Sequence, residues 1–134
     1  MNDYIYSIQV DHLVVGPSGV YLIETKYWSK ESVENSNLFS PVKQIKRASY
    51  AIFLLLNDAA KNSYIFSNHH WGNKKISVRN IILMIGHKPK EEFQFVKILS
   101  LDRIVGYITY FKPIFSDQEV YEIVKILKDL NRKF

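Results

Sequence analysis

The chain has 134 residues, of which 47% are hydrophobic and 14% aromatic, so its size and apolar content fit one compact domain over residues 1–134. It has no cysteine, which excludes disulfides, cysteine-ligated zinc and thiol nucleophiles. Its net charge of +5 favours anionic partners only weakly, because a modest excess of lysine also serves solubility.

The first residues, MNDYIYSIQV, lack the basic region and apolar core of a secretory signal. The apolar stretch Ala51–Leu56 is far shorter than the roughly 20 residues that cross a bilayer. The absence of cysteine is compatible with a reducing compartment. We therefore predict a cytoplasmic protein without a membrane partner.

After a first strand predicted over Tyr4–Gln9, the stretch DHLVVGPSGVYLIETK has the pattern of a β-hairpin. If GPSG forms the turn, opposite residues keep a constant index sum, and the register pairs Leu13 with Leu22 and Asp11 with Glu24. Both strands are apolar on both faces, which is typical of buried strands. The hairpin thus places two carboxylates opposite each other at the end of a buried sheet.

Directly opposed side chains have Cβ atoms roughly 4.5–5.5 Å apart, so Asp11 and Glu24 repel each other unless a cation lies between them. Alternation places Lys26 on the face of Glu24 and leaves the backbone carbonyl of Thr25 as a further oxygen ligand. This combination predicts a Mg²⁺ or Mn²⁺ site for phosphodiester cleavage. In the alternative interpretation, the charges are solvated strand ends.

A polar loop predicted over Ser29–Asn37 precedes a helix with Ser40 as its N-cap and Pro41 at its first position. Gln44 lies at the edge of the helix's apolar stripe, where its amide could orient a water or a phosphate oxygen, or be an ordinary boundary residue. We expect one buried stripe on this helix: Val42, Ile45, Ser49, Ile52, Leu56 and Ala59.

Two basic clusters could hold phosphates, or could be solvated surface. One lies in the first turns of this helix, and the other precedes the next strand. The candidate nucleic-acid contacts are Lys43, Lys46, Arg47, Lys74 and Lys75.

The second half of the chain predicts two strands and two helices. Ile76–Gly86 contains a continuous apolar run typical of a central strand, and Phe93–Leu99 is a further extended segment. Ser100 could cap a short helix, and Ser116 and Glu119 have the spacing of a capping box. The short helix is expected to bury Leu101, Ile104, Val105 and Ile108, and the last helix Val120, Ile123, Val124, Leu127 and Leu130.

The hairpin sequence Val10–Trp28 resembles the nuclease-related domain (NERD), a branch of the PD-(D/E)xK nuclease superfamily. Ser40–Gln44 (SPVKQ) resembles the N-P-x-x-Q opening of that family's next helix, and Lys97–Leu127 resembles its last strand and helices. The resemblance implies an α/β fold, with a restriction-endonuclease-like mixed β-sheet flanked by helices. It also implies a Mg²⁺-dependent nuclease acting on nucleic acid, with DNA as the expected partner, and supports a role for Gln44.

Family members usually carry an N-terminal helix with a G-E pair, whose Glu completes the acidic cluster. Only ten residues precede Asp11, so we predict that this helix is missing. Then the chain is a fragment, or the Glu comes from elsewhere, or the site is weakened. The alternative function is therefore a weak or inactive nucleic-acid-binding, regulatory or oligomerisation module, and a homodimer could cover the sheet surface that the helix leaves.

Overall fold

The structure is a computed structural model that describes residues 11–29, 31, 39–63, 75–90 and 92–133. Within these ranges the elements are β1 His12–Gly16, β2 Gly19–Trp28, α1 Phe39–Ala60, β3 Val78–Gly86, β4 Val96–Ser100, α2 Ile104–Tyr110 and α3 Asp117–Lys133. A 3₁₀ turn, Leu101–Arg103, leads directly into α2. The four strands form one mixed sheet of order β1-β2-β3-β4, which confirms the α/β class and is consistent with a restriction-endonuclease-like domain.

The hairpin has the predicted register. β1 runs antiparallel to β2, Leu13 lies opposite Leu22, and the turn residues are Pro17–Ser18. β2, β3 and β4 are parallel to one another. Continuing the register by one pair beyond β1 brings Asp11 opposite Glu24, as the index sum predicts.

β3 is the central strand of the sheet, and its apolar run is buried on both faces. It lies between β2 and β4, and Ile81–Met84 are all buried. A parallel strand covered on both sides needs apolar residues at successive positions, which is why the pattern is continuous rather than alternating. The predicted central strand is confirmed.

α1 covers the sheet face that carries Leu22, Ile82 and Met84, and its buried residues include Val42, Ile45, Ser49, Ile52 and Leu56. The predicted stripe is thus confirmed up to Leu56, and at its end Ala59 is half-buried while Ala60 is buried. The predicted start of the helix is wrong, because α1 begins at Phe39, before Ser40. Pro41 is tolerated inside the first turn because the first N–H groups of a helix have no partner within it.

α2 covers the opposite face of the sheet through Ile104, Tyr107 and Ile108. Two residues predicted to be buried there are exposed, since Leu101 is 59% and Val105 70% accessible. Leu101 lies in the 3₁₀ turn, where the spacing of an α-helix does not apply. Within α2 the residues that face the sheet are Ile104, Tyr107 and Ile108, which leaves Val105 on the outer side.

α3 begins with the predicted capping box. The Ser116 N–H donates to Glu119 Oε1 at 2.7 Å, and the Glu119 N–H donates to Ser116 Oγ at 3.2 Å. Each side chain thus accepts a hydrogen bond from a backbone N–H group at the start of the helix. α3 packs on α1 and β1. Its most buried apolar residues are Ile123 and Ile126.

β4 begins at Val96, so the prediction of extended chain from Phe93 is wrong for its first residues. Phe95 has a φ of 66°, in the left-handed region, so the backbone is not extended at the residue before β4. The Asn80 side chain donates to the Phe95 carbonyl at 3.1 Å and holds this turn against β3.

Several predictions fall outside the described residues. These are the strand Tyr4–Gln9, the missing N-terminal helix, Lys74 and nearly all of the loop Ser29–Asn37. Among the helices that the structure does describe, none combines the length and the apolar character required to cross a membrane.

Candidate metal centre and nucleic-acid interface

Asp11 is held against β2 by a backbone hydrogen bond. Its Oδ2 accepts the N–H of Thr25 at 2.9 Å. The N–H and C=O of a strand residue point to the same edge, so the Thr25 carbonyl is directed toward the side on which Asp11 lies. The sequence thus brings together the predicted carboxylate and the predicted carbonyl at the end of the hairpin.

Glu24 and Lys26 lie on the sheet face that α1 covers. They occupy rows with Ile82 and Met84 of β3, both of which belong to the buried cluster beneath α1. The Glu24 and Lys26 side chains are 27% and 28% exposed, so both are reachable but partly desolvated. In this setting a charged group keeps more of its electrostatic strength than on the open surface.

The Lys26 ammonium is paired with Glu24 in this structure. Nζ lies 3.6 Å from Oε1, a distance that allows a salt bridge but not a strong hydrogen bond. The predicted acidic and basic groups are therefore neighbours, on adjacent positions of one strand face. The pair balances charge locally and places an ammonium group next to a carboxylate oxygen.

The described residues contain no cluster of three or more His, Cys, Asp or Glu side chains suited to a metal ion. The oxygen donors predicted at the hairpin end are Asp11, Glu24 and the Thr25 carbonyl. These hard oxygen donors suit Mg²⁺ or Mn²⁺, which keep several waters and need only one or two carboxylates. The donor set fits such an ion.

Gln44 is exposed on α1, and its side chain forms no hydrogen bond with another described residue. It precedes Ile45, which shares the buried cluster with Leu22. The structure therefore places Gln44 on the helix above the site-bearing face without joining it to Asp11 or Glu24. Its role in orienting water stays a prediction.

The basic residues Lys43, Lys46 and Arg47 are all exposed on the first turns of α1. Because they are spaced by three and four, they share one helix face, and Tyr50 extends that face with 64% of its surface exposed. The binding candidates predicted from the sequence do not include Tyr50. Its spacing from Lys46 and Arg47 is the signal that could have identified it.

Lys75 is exposed, and its ammonium lies 5.8 Å from the centroid of the Phe53 ring on α1. A cation at this distance from a ring face is weakly attracted to it. Lys75 is thus brought toward α1, the helix that carries the other basic cluster.

The comparison with protein families gives one match. The family model described as "NERD: Nuclease-related domain" matches residues 2–84, more than half of the chain. The chain belongs to the nuclease-related domain family. This membership is consistent with the PD-(D/E)xK superfamily, and the matched range contains every candidate residue of the hairpin and of α1.

The match of the nuclease-related domain ends at residue 84, so the segments Lys97–Leu127 that resemble the family's closing elements lie beyond it. A search of curated proteins and a search of solved structures found no significant match.

Proposed function

We propose that this nuclease-related domain is a metal-dependent phosphodiesterase that acts on nucleic acid, with DNA as its substrate and the cytoplasm as its location. The observation that carries the proposal is the hydrogen bond from the Thr25 N–H to Asp11. It holds one carboxylate beside the strand that bears Glu24 and Lys26.

Asp11, Glu24 and the Thr25 carbonyl would hold Mg²⁺ or Mn²⁺. One Asp11 oxygen accepts the Thr25 N–H, which leaves the other oxygen of that carboxylate as a ligand. When bound, the ion would supply positive charge to the phosphoryl oxygens and make a coordinated water more acidic. Glu24 could serve this site once its carboxylate is shared between the ion and Lys26.

Lys26 would stabilise negative charge in the transition state. Its ammonium already lies beside the carboxylate that would ligate the ion, and its partial burial strengthens its field at a bound phosphate. It could also orient the attacking water by donating a hydrogen bond. Removing a donor of this kind typically raises the barrier by about 3 kcal/mol, or roughly a hundredfold in rate.

The exposed basic face of α1 would bind the phosphate backbone. Lys43, Lys46 and Arg47 point to one side of the helix and form no ion pair with another described residue. Each such contact to duplex DNA releases counterions, and affinity should fall with salt at a slope of about −0.9 per phosphate. Lys75 and Lys74 are further candidates for contacts with the phosphate backbone.

The test is DNA cleavage with Mg²⁺ by the wild-type chain and by Lys26→Ala. We expect the variant to fold normally, because a partly exposed ion pair contributes about 1 kcal/mol at most. Its cleavage rate should fall roughly a hundredfold. Lys125→Ala, which removes an exposed lysine from α3, is the matched control and should cleave at the wild-type rate. Equal rates for wild type and Lys26→Ala would remove Lys26 from the reaction.

A second candidate is a nucleic-acid-binding or regulatory module without catalysis. The Glu24–Lys26 ion pair favours it, because a carboxylate already neutralised by lysine needs no metal. This candidate predicts DNA binding that is the same with and without Mg²⁺, and no cleavage. An oligomerisation module, or a homodimer, predicts in addition a mass above the monomer by light scattering.

A further inference from the structure

A groove of about 750 Å³ lies beside β4, the strand at the end of the four-stranded sheet, on the side toward α2. Its polar wall comes from the β3–β4 loop, from β4 and from the start of α2. Its main contributors are Lys88, Lys97, Ser100, Arg103, Tyr107 and Tyr110. The groove is therefore lined by both basic and aromatic side chains.

Most of the basic side chains in this groove form no close ion pair with another described residue. Among the described residues, Lys88 and Lys97 have no ion-pair partner. Arg103 Nε is 3.9 Å from Asp102 Oδ2, and both side chains are more than three-quarters exposed. The hydrogen bond from the Ser100 hydroxyl lowers the pKa of Asp102, so this carboxylate is charged at neutral pH. Three cations against one anion give the groove a net positive charge.

Tyr110 supplies an open aromatic surface at the groove. It is 80% exposed. Its ring packs edge-to-face on the Phe111 ring, with 5.4 Å between the ring centroids, and Phe111 in turn packs against Tyr107. The ring is thus supported from one side while most of its surface meets solvent. Such a ring can stack on a nucleobase.

The groove meets the row of residues that contains Lys26 at Ser100, the last residue of β4, although it opens on the opposite face of the sheet. Lys26 pairs with Met84 in the β2–β3 register, and Met84 pairs with Ser100 in the β3–β4 register. Two strand spacings of about 4.8 Å therefore separate Lys26 from Ser100, which also lines the groove. A polymer held at the hairpin site would reach the groove by crossing the ends of the parallel strands.

We propose that this groove, lined by Lys88, Lys97, Arg103 and Tyr110, binds an unpaired nucleic-acid strand that continues from the hairpin site. The inference rests on the proposed function and deepens it by naming the substrate class. Unpaired strands are favoured over duplex because a base can stack on Tyr110 only when its face is free. The lysine and arginine side chains of the groove would then contact the phosphates of the same strand.

The test measures binding of a fluorescent oligothymidine to the full chain by anisotropy, without divalent metal. Lys88→Glu/Lys97→Glu should weaken binding at least about tenfold and make the salt slope shallower by about 1.4, because two phosphate contacts are lost. Lys125→Glu/Lys128→Glu, on α3, changes net charge equally and is the matched control. It should bind within about twofold of wild type.

Tyr110 provides an independent arm that does not alter charge. Tyr110→Ala should weaken oligothymidine binding about fivefold or more, whereas Tyr110→Phe, which keeps the ring, should bind as wild type does. Neither variant should change the affinity for a blunt duplex. Thermal unfolding of each variant verifies that the fold is retained.

The proposal that the groove binds an unpaired strand would be overturned if both double variants weakened oligothymidine binding equally. Unchanged binding by Lys88→Glu/Lys97→Glu would overturn it as well. So would a monomer–dimer change by light scattering in the groove variant, since it would assign the surface to a second copy. Because the binding assay contains no metal, its result can be interpreted even if the hairpin site proves unable to cleave DNA. Conversely, normal cleavage together with unaltered groove-variant binding would refute the groove alone.

Discussion

Replacing Asp11 by asparagine separates the structural role of this residue from its proposed role as a metal ligand. The amide side chain of Asp11→Asn keeps an oxygen that can accept the Thr25 N–H, a bond that Asp11 Oδ2 accepts at 2.9 Å in the wild-type chain. Stability without metal should therefore fall by less than about 0.5 kcal/mol, the low end of what an intramolecular hydrogen bond contributes. Asp11→Ala removes the acceptor and should cost about 0.5–1.5 kcal/mol, near the low end because the bond is exposed.

Metal should distinguish the same variants far more strongly. At a Mn²⁺ concentration of about a hundred times Kd, a single site stabilises the native state by about 2.7 kcal/mol. An ion present only at its own Kd adds RT ln 2, about 0.4 kcal/mol, so Asp11→Asn should gain little if its carboxylate is needed. Urea unfolding with and without Mn²⁺ measures both quantities. Equal metal stabilisation of wild type and Asp11→Asn would refute the assignment of Asp11 as a ligand.

Three further substitutions test the fold around the site, each by urea unfolding. Gly86→Ala should cost about 2 kcal/mol or more, because φ is 104° and the new Cβ would lie 2.5 Å from the Trp28 carbonyl oxygen; an unchanged midpoint would contradict this. Tyr21→Phe removes the buried hydroxyl that donates to the Ile108 carbonyl at 3.2 Å, with an expected loss of about 1 kcal/mol. Ser116→Ala should lower stability by about 1 kcal/mol through loss of the α3 cap, and no loss would mean that the cap is replaced by water.

The hairpin, the central strand and the last helix could be predicted because their signals are local. The register follows from the short turn between the two strands, because the turn fixes which residues lie opposite each other. The Ser116–Glu119 capping box needs only four consecutive residues. These are short-range rules, and the structure confirms them.

The start of β4 and the face of α2 depend on contacts that a local pattern does not contain. The Asn80 side chain, on the neighbouring strand β3, donates to the Phe95 carbonyl, and extended chain begins only after Phe95. Leu101 lies in the 3₁₀ turn before α2, and the face of α2 that packs on the sheet includes Tyr107 rather than Val105, so both Leu101 and Val105 are exposed.

The basic groove was absent from the sequence analysis because its residues are distant in sequence. Lys88 follows β3, Lys97 belongs to β4, and Tyr110 ends α2, so only the fold brings them together. At the hairpin the opposite holds. Asp11 and Glu24 could be paired from the sequence because one tight turn separates them.

Anomalous scattering from crystals of this chain soaked in Mn²⁺ would test the proposed metal centre most directly. We expect a peak at a hard-cation distance, about 2.0–2.6 Å, from oxygens of both Asp11 and Glu24, with the Thr25 carbonyl in the same coordination shell. A peak that avoids these residues, or no peak while Lys26 still pairs with Glu24, would contradict the metal centre at the end of the hairpin.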